Sequence, residues 1–378
     1  MDFSLSEEQQ LLRNSARDFL STECPKSVIK EIEASETGHS PDLWRKMAEL
    51  GWMGIALPEE YDGAGLSLLD LAILFEEFGR AAMTGPMFSS MILGTIPILE
   101  FGSEEQKKSI LPGVATGDTI LTMALWETDV ESDPRFVAAR ADSHGDGFSI
   151  SGTKLFVPYA AVADYIVVAA RTSGSPGDEN GITFFLVDSK ASGISSTPLK
   201  TIAGDKQYEM MFDRVGVSSG DIIGAVDEGL SVIRPALLKA RAMQCAEMIG
   251  GAQQEMEMTA EYARTRVQFE RAIGTFQAVQ HRMADMFIDA SGARWTTYQA
   301  IWRLSEGLNA EREVAIAKAF ANIATQRISF GAQGIHAGVG VDIDHELPYY
   351  FRHQKGFDLK MGVTGFHLKE LERALGFQ

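Results

Sequence analysis

Apolar side chains recur every three or four positions over residues 6–22, at Leu11, Leu12, Ala16, Phe19 and Leu20, which predicts a helix with one buried stripe. A second helix is predicted over 41–52. There Ser40-Pro41-Asp42 offers a capping hydroxyl and a proline suited to the first turn, and Leu43, Met47 and Leu50 follow at helical spacing. Tyr61-Asp62-Gly63-Ala64-Gly65 reads as a loop, and helical patterning resumes over 67–116. Past Gly117-Asp118 the pattern changes to short β-branched or alternating runs at 119–125, 148–151, 153–157, 164–170, 183–187 and 210–217. Turn signals separate them, among them His144-Gly145-Asp146-Gly147, Ser173 to Asp178, and Ala191-Ser192-Gly193. From about 227 the helical period returns, over 230–266, 276–305 and 310–330, with Asn309 as a candidate N-cap for the third run.

This order predicts an all-α domain over 1–117, a small antiparallel β domain (barrel or sandwich) over 118–226, and a C-terminal α bundle over 227–378, in which three long helices and a last one make four. Gly250-Gly251 inside the first bundle helix would each cost about 1 kcal/mol in isolation, so a close helix–helix approach is expected there. A cleft between the β domain and the bundle is where a flat cofactor would lie.

With 378 residues the chain exceeds what one core holds, and 45% hydrophobic residues are ample for two or three packed units. A net charge of -18 sets the surface against phosphate backbones and anionic lipid, so neither nucleic acid nor membrane is expected as a partner. Cys24 and Cys245 stand far apart with no metal-type spacing, and the first residues lack a basic, then apolar, leader pattern. A cytoplasmic protein without a membrane span is expected.

Three blocks carry a family likeness over nearly the whole chain. Residues 51–65, GWMGIALPEEYDGAG, resemble the acyl-CoA dehydrogenase segment G-x-x-G-I-x-x-P-E-E-Y-G-G-x-G. Phe101 to Lys108, Leu111-Pro112 and Gly117-Asp118 resemble the stretch leading into that family's β domain. Tyr262 to Phe269, followed by Ile273-Gly274-Thr275-Phe276-Gln277, resembles the signature Y-x-x-x-R-x-x-F-G-x-x-I-x-x-F-Q.

The resemblance implies the family's three-domain fold, FAD as cofactor, an acyl-CoA substrate, electron-transfer flavoprotein as electron acceptor, and a dimer or tetramer, homomeric or with a homologous subunit. It places Arg266 and Gln277, with Phe269 in the same block, at positions that hold FAD across a subunit interface. A guanidinium suits a pyrophosphate because it clamps two oxygens at once and keeps its charge. Residues 124–133 match A-L-T-E-P-x-A-G-S-D, used against flavin and substrate; Glu127, Ser132 and Asp133 are kept, while Trp126 replaces the threonine. Trp126 reads equally as a flavin-stacking or a core side chain. Lys154 to Tyr159 match K-x-[FW]-I-T-N, with Phe156 keeping the aromatic beside the flavin. The threonine that serves flavin N5 is Pro158, which has neither a hydroxyl nor an N–H. Residues 334–340 match Q-x-x-G-G-x-G, whose glycines admit the FAD diphosphate; Gly338 and Gly340 remain, but Gly334 and Ala337 depart from the pattern, and Gln333 lies one residue early. His336, His345, His353 and His367 show no metal-ligand spacing and read as surface or bundle side chains.

The family's chemistry needs a carboxylate that removes the thioester's α-proton while hydride passes to the flavin. Its two known positions fall on Met361, by spacing from Arg352, and on Ala240, just before Arg241. Neither accepts a proton. Three readings stay open: a base-lacking subunit of a heteromeric dehydrogenase; a relocated base, for which Glu247, Asp358 and Glu127 are the substitutes; or other chemistry on the same fold, a monooxygenase, an oxidase or a non-redox thioester reaction.

Overall fold

The computed structural model describes residues 4–128 and 133–377. The N-terminal part comprises α1 (Glu7–Glu23), α2 (Lys26–Ala34), α3 (Pro41–Glu49), α4 (Leu68–Arg80), a π-helical turn (Phe88–Gly94), α5 (Thr95–Phe101) and α6 (Glu104–Ala115). Local sequence sets where these helices begin. Ser6 with Gln9, Ser67 with Asp70, and Ser103 with Gln106 form reciprocal capping boxes, and Ser40 accepts from the Leu43 amide ahead of Pro41. Helix α4 is buried nearly all round, which is why its sequence reads apolar without a clear stripe.

The middle part is one twisted sheet of eight strands: β1 (Leu121–Ala124), β2 (Arg140–His144), β3 (Gly147–Pro158), β4 (Tyr165–Arg171), β5 (Ile182–Asp188), β6 (Ile194–Leu199), β7 (Gln207–Ser218) and β8 (Ile222–Ile223). Their order is β6-β7-β3-β2-β4-β5-β8, with β1 alongside β4. The sheet departs from the expected antiparallel pattern at β4, which β1 joins in parallel from Leu121 opposite Tyr165 to Ala124 opposite Val168, and which β2 also joins in parallel at Arg140 opposite Arg171. The two runs predicted at 148–151 and 153–157 are one strand. Gly152, at φ +151°, sits in a β-bulge there, where a Cβ would press on the Ala139 backbone. Strands β2 and β6 escape the sequence pattern because they are mostly exposed and carry few apolar residues.

The C-terminal part holds α7 (Gly229–Thr265), a short hairpin of β9 (Val267–Gln268) and β10 (Arg271–Ala272), then α8 (Gln277–Ser305), α9 (Glu311–His336), α10 (Leu347–Leu359) and α11 (Thr364–Ala374). The third helix therefore runs six residues past its predicted end at 330, and the last helical region is two helices. The N-cap of α9 is Ala310 rather than the expected Asn309, which sits two residues before Glu311 and accepts from the Glu311 amide through Oδ1 at 3.1 Å.

Backbone contact between α4 and α7 explains the paired glycines. A Cβ on Gly250 would lie 1.8 Å from the Glu76 carbonyl oxygen, and one on Gly79 would lie 1.8 Å from that of Glu247. No side chain fits there, so the crossing holds α7 at a fixed height against the N-terminal domain. Helix α4 is tied to its other neighbours through its two glutamates: Glu77 takes two hydrogen bonds from Arg17 of α1, and Glu76 accepts from Arg294 and from the Tyr298 hydroxyl of α8.

Candidate active site

A cavity of about 910 Å³ opens where the three parts meet. The sheet contributes Trp126, Phe156 and Pro158, and the N-terminal part contributes the segment around Thr84 and Phe88. Helix α7 contributes Leu237, Gln244 and Glu247, spaced seven and three residues apart on one face, and the α10–α11 junction contributes Met361 and Phe366. Phe156 has a left-handed backbone (φ 55°), an unfavourable state for an aromatic residue, and its ring is 46% exposed. An apolar ring held open at the wall of a concave site is a platform for a flat ligand.

Met361 is left-handed as well, at φ 56°. Two groups hold its carbonyl oxygen: Arg241 Nε donates at 3.2 Å, and His367 Nε2, carrying the proton, donates at 3.0 Å. Burial lowers His367 to about 3 and Arg241 to about 10, so the imidazole is neutral and the guanidinium stays charged at neutral pH. The Met361 amide has no hydrogen-bond partner among the described residues. The carbonyl is thus fixed and the N–H is left over.

Four carboxylates line the cavity among the described residues, and three are paired. Asp205 meets Lys360 Nζ at 2.5 Å; burial opposes its ionisation, but Lys360, Thr201 and Gln207 together hold it well below the usual carboxylate range. Asp133 meets Arg135 at 2.6 Å, and Glu370 meets Arg373. Glu247 alone has no hydrogen bond or ion pair. Burial raises it to about 8, with Lys360 pulling it down and Asp205 pushing it up.

Of the residues singled out in the sequence, the structure brings Phe156, Met361, Glu247, Asp133 and His353 to this cavity, with Trp126 and Pro158 beside Phe156. Ala240 is buried but does not line it. Asp358 does not line it either and is paired with Lys355 at 2.7 Å, which removes it as a substitute base. Glu127 is removed for a different reason. Its carboxylate accepts from Lys154 Nζ at 2.5 Å and from the Ala138 and Ala139 amides at 2.9 and 3.1 Å, so its oxygens are committed to the fold. Ser132 lies outside the described residues.

The remaining candidates gather at the far end of the bundle, away from the cavity lining. Arg266, Phe269 and Gln277 lie before, within and after the β9–β10 hairpin, all exposed, with Phe269 at 85%. The Arg266 guanidinium has no partner among the described residues. Nearby, Tyr262 stacks on His336 at 4.3 Å, directly before the 3₁₀ turn Ala337–Val341 that carries Gly338 and Gly340. Gln333 Oε1 and both His336 ring nitrogens are buried without partners. His336 and His367 are thus interior side chains, and no group of residues that could hold a metal occurs among the described residues.

Sequence reasoning missed Gln244 and the Asp205–Lys360 pair. Lys360 adjoins Met361 and could have been flagged, but Asp205 stands in the β6–β7 loop with no motif around it.

The buried titratable groups give a pH prediction. Glu247 and Glu255 are both raised by burial to about 8, from an ordinary value of 4.5. Between those values the folded chain keeps protons that the unfolded chain releases, so their contribution to stability is lost as pH rises. His336, lowered by burial to about 4, and His367 act oppositely, but only up to the ordinary histidine value of 6.5. The thermal midpoint is therefore expected to fall most clearly between pH 6.5 and 8. Glu255→Gln should flatten that fall in a melting series across the window.

Comparison with known proteins accounts for this architecture. The acyl-CoA dehydrogenase N-terminal domain matches residues 6–118, the middle domain 122–215 and the C-terminal domain 227–376. The chain belongs to the acyl-CoA dehydrogenase family, a family of FAD-binding oxidoreductases. It is 31% identical to acyl-CoA dehydrogenase FadE27 of Mycobacterium tuberculosis, over 99% of both chains. Among solved structures it resembles the ChsE4–ChsE5 complex of that organism (30% identity, TM-score 0.91, the full length of both chains). It also resembles the steroid ACAD Tcur3481–Tcur3483 (32% identity, TM-score 0.89, 99% of both chains). No helix among the described residues is long and apolar enough to cross a membrane.

Proposed function

We propose that this chain is the base-lacking subunit of a heteromeric FAD-dependent acyl-CoA dehydrogenase, built as an N-terminal α domain (1–117), a β domain (118–226) and a C-terminal bundle (227–378). One observation carries the reading: both family positions for the proton acceptor hold residues that cannot ionise, Met361 and Ala240, and the one unpaired carboxylate lining the cavity among the described residues lies deeper. Arg241 of α7 touches Met361, and Glu247 lies six residues further along the same helix, about 9 Å of axial rise. A thioester bound against residue 361 would have its α-carbon nearer Arg241 than Glu247.

The residues fit the cofactor in two separate places. Phe156, with Trp126 beside it, offers an apolar wall for the flavin ring within the cavity. Arg266, Gln277 and Phe269, with the Gly338–Gly340 turn, offer an unpaired cation and open backbone at the distant bundle end, suited to the diphosphate of a neighbouring chain's FAD. Bound FAD would supply the hydride acceptor. The Met361 N–H would polarise the thioester carbonyl, its peptide fixed by Arg241 and His367, while Pro158 can offer no donor to the flavin. The two relatives solved as two-protein assemblies, ChsE4–ChsE5 and Tcur3481–Tcur3483, support a homologous partner, and the family resemblance supports electron-transfer flavoprotein as acceptor. Two buried free thiols suit a cytoplasmic setting.

The unpaired Glu247 favours one second reading, in which it is the relocated base. Purification from the native source separates the two. A second acyl-CoA dehydrogenase-family chain at equal ratio, carrying a carboxylate at one of the two positions, is expected. A homo-oligomer that turns over thioester on its own would support the second reading instead.

If Arg266 serves a neighbour's FAD, Arg266→Ala removes charge-assisted bonds of about 1.5–3 kcal/mol each and should weaken FAD about tenfold or more. Unchanged flavin content in a monodisperse monomer would refute the shared site.

A further inference from the structure

Gln244 and Glu247 stand one turn apart on the cavity face of α7, on the side of the Arg241–Met361 contact away from the helix N-terminus. Gln244 is 1% exposed and its Oε1 has no hydrogen-bond partner; Glu247 is 8% exposed and has none either. The other polar groups of this region are satisfied. Tyr159 Oη is shared with the Thr84 hydroxyl and the Gly85 amide, each at 3.0 Å, Asp205 is paired with Lys360, and His353 with Glu33. Gln244 Oε1 itself is closed off, whereas Gln244 Nε2 and the Glu247 carboxyl also lack partners and stay open toward the cavity these residues line, where a ligand oxygen relieves them.

We propose that this end of the cavity binds an oxygen atom on the acyl group itself, so that the thioester this chain takes carries a hydroxyl or oxo function several carbons beyond the carbonyl. The inference rests on the acyl-CoA reading above. Gln244 and Glu247 lie three and six residues past Arg241, about 4.5 and 9 Å along the helix axis, which sets the depth of that oxygen. A hydroxyl or oxo oxygen can accept from the Gln244 amide N–H and from the protonated Glu247 carboxyl, and a hydroxyl can also donate to a Glu247 oxygen. A plain alkyl chain leaves all of them unpaired, which is how a site built to bond a substrate oxygen rejects the analogue lacking it.

The test is a binding titration of the flavin-loaded assembly, read by perturbation of the flavin absorbance, which needs no turnover. The probes are decanoyl-CoA and its ω-hydroxy and mid-chain oxo counterparts. At least one oxygenated thioester is expected to bind about tenfold or more tighter than decanoyl-CoA. Gln244→Leu in this chain should abolish the difference. Glu247→Gln, which keeps a donor of the same shape and serves as the folding control, should retain part of it. Equal affinities, or a preference untouched by Gln244→Leu, would overturn the oxygen site while leaving the thioester reading standing. Failure of every thioester to bind would overturn that reading as well.

Discussion

Met361→Glu in this chain should raise the rate of flavin reduction by a saturated acyl-CoA roughly 10²–10⁴-fold, the usual contribution of a positioned general base. The structure makes this site receptive. Residue 361 lines the cavity, and its peptide is held by Arg241 and His367 irrespective of the side chain. The left-handed backbone is already present, so the substitution adds no new strain. Arg241 is buried and has no ion pair among the described residues, so a carboxylate introduced beside it would gain a counter-charge and stay ionised near neutral pH. Ala240→Glu should do much less, because residue 240 is buried and does not reach the cavity. Stopped-flow absorbance of the loaded variant under anaerobic conditions reads both. Equal, undetectable rates in wild type and Met361→Glu would show that the missing carboxylate is not what limits this chain.

The second large effect concerns stability. Lys154 is fully buried, and its ammonium binds Glu127 and the Leu125 carbonyl, at 2.5 and 3.2 Å. Glu127 also ties down the amides of residues 138 and 139, bringing together the chain on either side of residues 129–132. Lys154→Met strands the Glu127 carboxylate without its counter-charge, which typically costs about 3–5 kcal/mol. The denaturant midpoint should drop accordingly. Adding Glu127→Gln should recover much of the loss, because a neutral amide can keep one of the two backbone bonds without a buried lone charge. A double variant as unstable as Lys154→Met would mean that packing around the lysine stem, rather than the ion pair, is what matters.

What was legible in the sequence follows from the range of the interactions involved. Helices α1 and α3 declare themselves because their signals are local: Ser6 and Ser40 cap within three residues, and the apolar stripe repeats within the helix. Gly250 could be flagged as a close approach, but its partner Gly79 is found only when α4 and α7 are packed. Strand β6 is exposed along most of its length and owes its place to hydrogen bonds with β7, which leave no mark on composition. That the two base positions implied by the resemblance hold Met361 and Ala240 was legible because Arg352 and Arg241 fix the register of each motif. The roles of the three substitute carboxylates were not. Glu127 is neutralised from 27 positions away, Asp358 by a neighbour three positions away, and Glu247 is distinguished by the absence of any partner. Asp205 and Lys360 are 155 positions apart, and only the fold brings them to one cavity.

The central claim is that this chain, by itself, lacks the proton acceptor of an acyl-CoA dehydrogenase. Anaerobic mixing of the purified, FAD-loaded wild-type chain with a saturated acyl-CoA tests it most directly. The account predicts that thioester binding perturbs the flavin spectrum while the flavin stays oxidised. Rapid bleaching by the wild-type chain, abolished by Glu247→Gln, would contradict it and make Glu247 the base.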